Sequence, residues 1–96
     1  MTTYFVSRHP GAFEWADAEG ITVDHIIDHL DPSIIEPGDM LIGSLPVNLA
    51  AAVCERGAHY LHLSLDLPVT LRGRELSAQQ MRDCGARIER YLVRRM

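Results

Sequence analysis

The sequence predicts a single α/β domain built on a mostly parallel, open sheet with helices on both faces. Three observations predict it. Short apolar runs rich in β-branched residues alternate with stretches whose apolar residues recur at helical spacing. Two of those runs pass through a glycine- or proline-bearing turn straight into a helix. Right-handed crossovers around these two strand–helix units favour parallel neighbours. At 96 residues the chain has room for one core and not for two, so residues 1–96 read as one domain.

The elements follow in order. "TTYFVS", residues 2–7, is β-branched and aromatic and reads as a buried strand. Pro10 suits a first helical turn, and Ala12, Trp15, Ala16 and Glu19 keep helical spacing until Gly20 stops it. "DHIIDHL", residues 24–30, reads as a second strand of open orientation, and Asp31 caps one helical turn through Ser33, Ile34 and Ile35. After the Glu36-Pro37-Gly38-Asp39 turn, "MLIGSL" forms a third strand that breaks at Gly43-Ser44. Pro46 then opens a helix carrying Leu49, Ala52 and Val53 on one face until Gly57. "AHYLHLSLD", residues 58–66, alternates Tyr60 and His62 against Leu61, Leu63 and Leu65, a strand with a more polar face and hence nearer an edge. Past an Arg-bearing loop, Ser77 and Gln80 fit a capping box. Met81, Cys84, Ile88, Tyr91 and Leu92 then predict one long final helix, with Arg87, Arg90, Arg94 and Arg95 on its wet face and Asp83 paired with Arg87.

Composition sets bounds on function. The hydrophobic fraction of 47% and charged fraction of 23% are ordinary for a globular protein. No stretch approaches the roughly 20 apolar residues of a membrane span, and the N-terminus lacks a signal-peptide layout, so the expectation is a cytoplasmic protein without a membrane partner. Cys54 and Cys84 lack CxxC spacing and fall on apolar helical faces, as buried reduced thiols do. A formal net charge of -4 argues against coating nucleic acid, duplexes included, but leaves room for one anion in a focused site. All nine basic residues are Arg, which suits bidentate phosphate contact and equally reflects coding composition.

In an open parallel sheet, ligands bind outside the carboxyl ends of the strands. That edge receives Ser7, Arg8 and His9 from the first strand, Gly43, Ser44 and Leu45 from the third, and Ser64, Leu65 and Asp66 from the fourth. Two of these ends lead into helix N-termini, which favour anions. Gly11 and Gly43 let backbone come close to a ligand, and Ser44 and Asn48 can donate to phosphate or ribose oxygens; the same glycine and serine are equally ordinary turn residues. Neither GxGxxG nor GxxxxGK[ST] occurs. Arg8 supplies a fixed charge for a phosphodiester, and His9 can move a proton near neutral pH, a combination suited to RNA cleavage by an adjacent 2'-hydroxyl. The plainer alternative is a surface ion pair and a solvated histidine. Asp66 either orients a ribose hydroxyl or pairs with Arg72 or Arg74. Arg72-Gly73-Arg74 is a solvated loop that can also fold over an anion. His25 and His29 share a strand face, but without HExxH or a nearby cysteine no metal site is expected; His59 and His62 fall on opposite faces.

"YFVSRHPGAFEW", "HLDP", "GDMLIGSLPVNLAAAVCERGA" and "LSLDLP" with "RGRELSAQQM" together resemble the small stand-alone CRISPR-associated proteins of type III systems, related to CARF domains and assigned to ring nucleases. The likeness covers nearly the whole chain and rests most on the S-R-H-P-G and G-S-L-P stretches. It implies a Rossmann-like, CARF-like fold and a homodimer binding cyclic oligoadenylate, foremost cyclic tetra-adenylate, across its interface. It also implies cleavage without a metal or other cofactor, ending antiviral signalling. Within its motifs we expect Arg8 to hold the scissile phosphate, Ser7 or His9 to assist proton transfer, and the Gly43–Leu45 amides to bind a neighbouring phosphate. A module that binds or sequesters the ring without cutting it is the alternative from a different class, and a purely structural protein is another.

Overall fold

A computed structural model describes residues 1–7 and 9–96; Arg8 lies outside the described residues. The elements are β1 (Thr3–Val6), α1 (Pro10–Ala18), β2 (His25–Ile27), a 3₁₀ turn (Pro32–Ile34), β3 (Met40–Gly43), α2 (Val47–Glu55), β4 (His59–Ser64), a second 3₁₀ turn (Val69–Leu71), α3 (Ala78–Asp83) and β5 (Arg87–Tyr91). The strands form one sheet in the order β2-β1-β3-β4-β5. Pairings among the first four are parallel, and β5 runs antiparallel to β4. Strand two, whose orientation its sequence leaves open, is thus parallel to β1 and shorter than its apolar run.

Both faces of the sheet are covered, which explains why its strands read as nearly continuous apolar runs. Successive side chains alternate between the faces. On one side Phe5, Ile42 and Leu63 pack with Ala12, Trp15 and Ala16 of α1 and with Ala78 and Met81 of α3. On the other, Leu41 and Tyr60 pack with Ala50 and Val53 of α2 and with Ile35. Phe5, Leu41 and Val53 are fully enclosed.

The C-terminal region departs from the expected long helix. The capping box is present, with the Ser77 hydroxyl accepting from the Gln80 N–H and the Gln80 side chain accepting from the Ser77 N–H. The helix nevertheless stops at Asp83. Gly85 takes a left-handed φ of 69°, and the bonds Gly85 N–H to Arg82 O and Ala86 N–H to Met81 O close a Schellman turn. The chain then reverses onto the open edge of β4, whose backbone groups offer a full ladder to residues 87–91. The helical spacing of Cys84, Ile88 and Tyr91 is therefore fortuitous: Ile88 turns to the α1/α3 face, while Tyr91 reaches the opposite one beside His62.

The neighbouring strand and the arginines take their places accordingly. β4 lies near an edge, as its polar face suggests, but is not itself the edge, because β5 covers it. Arg87 pairs with Asp66 at 3.2 Å and Glu89 at 3.3 Å instead of Asp83, whose carboxylate accepts from Gln79. Arg90 and Arg95 contact His59 and Glu55, so these arginines do not form one helical face. Both cysteines are free thiols, Cys84 buried and Cys54 half-buried. No helix is long and apolar enough to cross a membrane, among the described residues.

The start of the chain is tied to the turn before β3 by Asp39. This buried carboxylate accepts from the backbone N–H of Glu36 at 2.9 Å and of Thr2 at 3.0 Å. Those two donors, Glu36 first, hold its pKa below the ordinary aspartate value. Because the folded pKa is depressed, the stabilisation is complete above the unfolded pKa of about 4 and is lost as pH falls through the folded value. Thermal unfolding from pH 7 to pH 2 should show this acid loss in the wild type. Asp39→Asn should unfold earlier at pH 7 and show a shallower decline on acidification.

Candidate functional site

The strand order changes direction between β1 and β3: the chain leaves β1 for α1 on one face and leaves β3 for α2 on the other. A crevice at the carboxyl ends of the strands is the expected consequence of such a reversal. A cleft of about 420 Å³ occupies that place, within the range of small-molecule sites. Its walls bring together Ser7 and His9 from the end of β1, Ser44 and Leu45 from the end of β3, and Asp28 and His29 from the segment after β2.

Local chemistry fixes the β1 side. The Ser7 hydroxyl oxygen accepts the His9 backbone N–H at 3.1 Å, a side-chain turn that leaves the hydroxyl proton to be donated elsewhere. His9 stands immediately before α1, and its carbonyl accepts from Ala12 N–H at 3.0 Å. Its Nδ1 accepts the Leu76 N–H at 3.3 Å, so the neutral ring carries its proton on Nε2. His9 is thereby suited to donate from Nε2 to an oxyanion. Gly11 is buried and does not line the cleft. A Cβ there would lie 2.3 Å from the Leu76 carbonyl oxygen, so this glycine serves the close approach of α1 to the start of α3.

The β3 side is clamped from within. At Gly43 a Cβ would stand 2.7 Å from the Val6 carbonyl oxygen, so its lack of a side chain permits the pairing of β1 with β3 at the cleft floor. The Ser44 hydroxyl donates to Leu63 O at 2.8 Å. The Leu45 N–H donates to the Tyr60 hydroxyl oxygen at 3.0 Å, so this amide is already engaged, contrary to the expected role as a phosphate donor. The Tyr60 hydroxyl lies 3.2 Å from the Gly43 carbonyl and 2.6 Å from His62 Nδ1. Burial pushes the Tyr60 phenol up from its ordinary pKa, opposed by the Leu45 N–H.

The other expected residues fall elsewhere. Asn48 is exposed on the first turn of α2 and is not part of the cleft wall. Ser64 is buried beneath the α2 side of β4–β5, where it helps line a separate groove. Asp66 is largely exposed and pairs with Arg87, not with Arg72 or Arg74. His25 and His29 diverge: His25 stacks on Tyr4 with centroids 5.5 Å apart, and His29 joins the cleft.

Sequence reasoning missed Asp28, His29 and Tyr60. The first two belong to the cleft because β2 runs parallel to β1 and releases its chain at the same edge. The alternation in residues 58–66 marked Tyr60 as facing away from the leucines, but not its reach to the preceding turn.

A protein-family model described as "Putative CRISPR-associated protein (Cas_VVA1548)" matches residues 4–94. No curated protein and no solved structure matches the chain.

Tyr60→Phe keeps the ring but leaves the part-buried Leu45 N–H without its acceptor, which should cost about 1 kcal/mol in denaturant unfolding at pH 7. The raised Tyr60 pKa means that its contribution is whole below the ordinary value near 10 and is lost as pH rises through the folded value. The wild type should therefore lose stability in that alkaline range, and the variant should lose less.

Proposed function

Because the chain belongs to the Cas_VVA1548 family of CRISPR-associated proteins, we propose that it is a ring nuclease. In this reading it binds cyclic oligoadenylate, foremost cyclic tetra-adenylate, and opens it without a metal ion, switching off type III CRISPR antiviral signalling. The observation that carries this reading is the cleft at the strand reversal, with Ser7 and His9 on one wall and the Ser44–Leu45 turn on the other. The strand order β2-β1-β3-β4-β5 supports a Rossmann-like, CARF-like assignment, since this doubly wound order places ligands at the β1/β3 reversal.

The reaction needs alignment and charge stabilisation. A ribose 2'-oxygen forms a bond to the adjacent phosphorus as the bond from phosphorus to the 5'-oxygen breaks. The 2'-hydroxyl proton passes to an acceptor, and the departing 5'-oxygen takes up a proton. The products are a 2',3'-cyclic phosphate and a 5'-hydroxyl. Arg8, between Ser7 and His9 in sequence, supplies the guanidinium that grips the phosphate oxygens. The Ser7 hydroxyl and His9 Nε2–H provide hydrogen bonds for the developing charge, and either residue assists proton transfer. The Ser44 hydroxyl proton and the Leu45 amide serve the fold, and Leu49 N–H donates to the Pro46 carbonyl, so a neighbouring phosphate falls to the Val47 and Asn48 amides at the start of α2, just outside the inner cleft.

A cleft of about 420 Å³ accommodates part of a cyclic oligonucleotide, and a homodimer joining two such clefts completes the site around a two-fold ligand. Val47 at the start of α2 is 73% exposed, an apolar surface available to such an interface. The acidic overall charge is compatible with this ligand, because a small ring requires a local pocket rather than a basic face.

Incubation with cyclic tetra-adenylate and excess chelator, with products resolved by chromatography, tests the reading. Linear products ending in a 2',3'-cyclic phosphate are expected. An intact ring held tightly would assign the protein to sequestration, and an intact ring left unbound would overturn the reading. Arg8→Ala should slow single-turnover cleavage by about a hundred- to a thousand-fold, the loss of one charge-stabilising donor. An unchanged rate would remove Arg8 from the chemistry.

A further inference from the structure

A second cleft, of about 410 Å³, lies on the other side of His9. His9 and Leu65 line both cavities, so the imidazole is a shared wall between them. The outer cleft combines a partly exposed apolar surface from Leu65 and Leu67, floored by the buried Leu76, with Arg74 and Glu75. Gly73, at φ 75°, turns the chain just before these two charged residues. Arg74 and Glu75 are both exposed, so neither is committed to the core.

This composition matches a nucleotide containing an aminopurine. Leucine side chains cover the faces of a base, a carboxylate accepts from an exocyclic amino group, and a guanidinium meets a phosphate. We propose that the outer cleft is the adenine subsite of the ligand whose phosphodiester lies in the inner cleft. Leu65 and Leu67 cover the base, Glu75 accepts from its N6 amino group, and Arg74 binds the phosphate on the outer side of His9. The inference rests on the ring nuclease reading and deepens it, because it makes Glu75 the determinant of base identity. It also gives His9 a positioning role between base and phosphate: Leu76, part of the outer wall, holds His9 Nδ1 through its own N–H.

The test measures equilibrium binding of two non-cleavable 2'-O-methyl rings, cyclic tetra-adenylate and its inosine counterpart, in which an oxygen replaces the N6 amino group. Wild type, Arg74→Ala and Glu75→Ala are compared by calorimetry, with circular dichroism confirming that each is folded. The wild type should prefer the adenine ring by about tenfold. Glu75→Ala should erase that preference, and Arg74→Ala should weaken both rings alike by about tenfold. If the wild type binds both rings equally, or the variants bind the adenine ring as the wild type does, the subsite is overturned while the ring nuclease reading stands. If the wild type binds neither ring, the reading falls and the subsite falls with it.

Discussion

Parallel pairing of β1 with β3 is the constraint from which the site follows. Parallel neighbours cannot be joined by a tight turn, so the chain leaves each strand's carboxyl end through a helix before returning. Here the two departures go to opposite faces, α1 to one and α2 to the other, opening a crevice between them. The pairing itself depends on Gly43, since a side chain at this position would meet the Val6 carbonyl oxygen. The residue that lets the sheet close is thus also the one that brings the Ser44–Leu45 turn opposite Ser7 and His9.

Polar groups around the crevice divide into those committed to the fold and those with hydrogen-bonding capacity to spare. Tyr60, Leu45 and Ser44 spend hydrogen bonds on one another or on backbone, and this keeps the β3–α2 turn rigid. On the β1 side the serine oxygen and one histidine nitrogen are engaged, while the serine proton and Nε2 have no hydrogen-bond partner among the described residues. Under the proposed function, such an arrangement favours catalysis by positioning and charge stabilisation over catalysis by a strong base. The hydrogen bonds that hold this turn, one buried and two part-buried, come from the fold itself.

Much of this architecture was legible in the residues. The β-branched run of residues 2–7, Pro10 at a first helical turn and the Asp31 cap each have a local physical cause and appear as expected. The final segment did not, because Cys84, Ile88 and Tyr91 satisfy helical spacing while Gly85 and the free edge of β4 decide the outcome. Edge capture is a tertiary effect, and local periodicity does not carry it. The same holds for the site. Ser7, His9, Ser44 and Leu45 followed from the strand-end rule, whereas Asp28 and His29 required knowing that β2 is parallel. Leu45 kept its place in the cleft but lost its expected free amide to Tyr60, a residue fifteen positions away.

The central claim is that the ligand's phosphodiester sits at the β1/β3 reversal. Backbone amide resonances of the ¹⁵N-labelled protein, followed while non-cleavable cyclic tetra-adenylate is added, test it most directly. The account predicts that the largest shifts fall on His9, Ser44, Asp28 and the first turn of α2. Shifts confined to the β4–β5 groove, at Arg87, Glu89 and Tyr91, would contradict it.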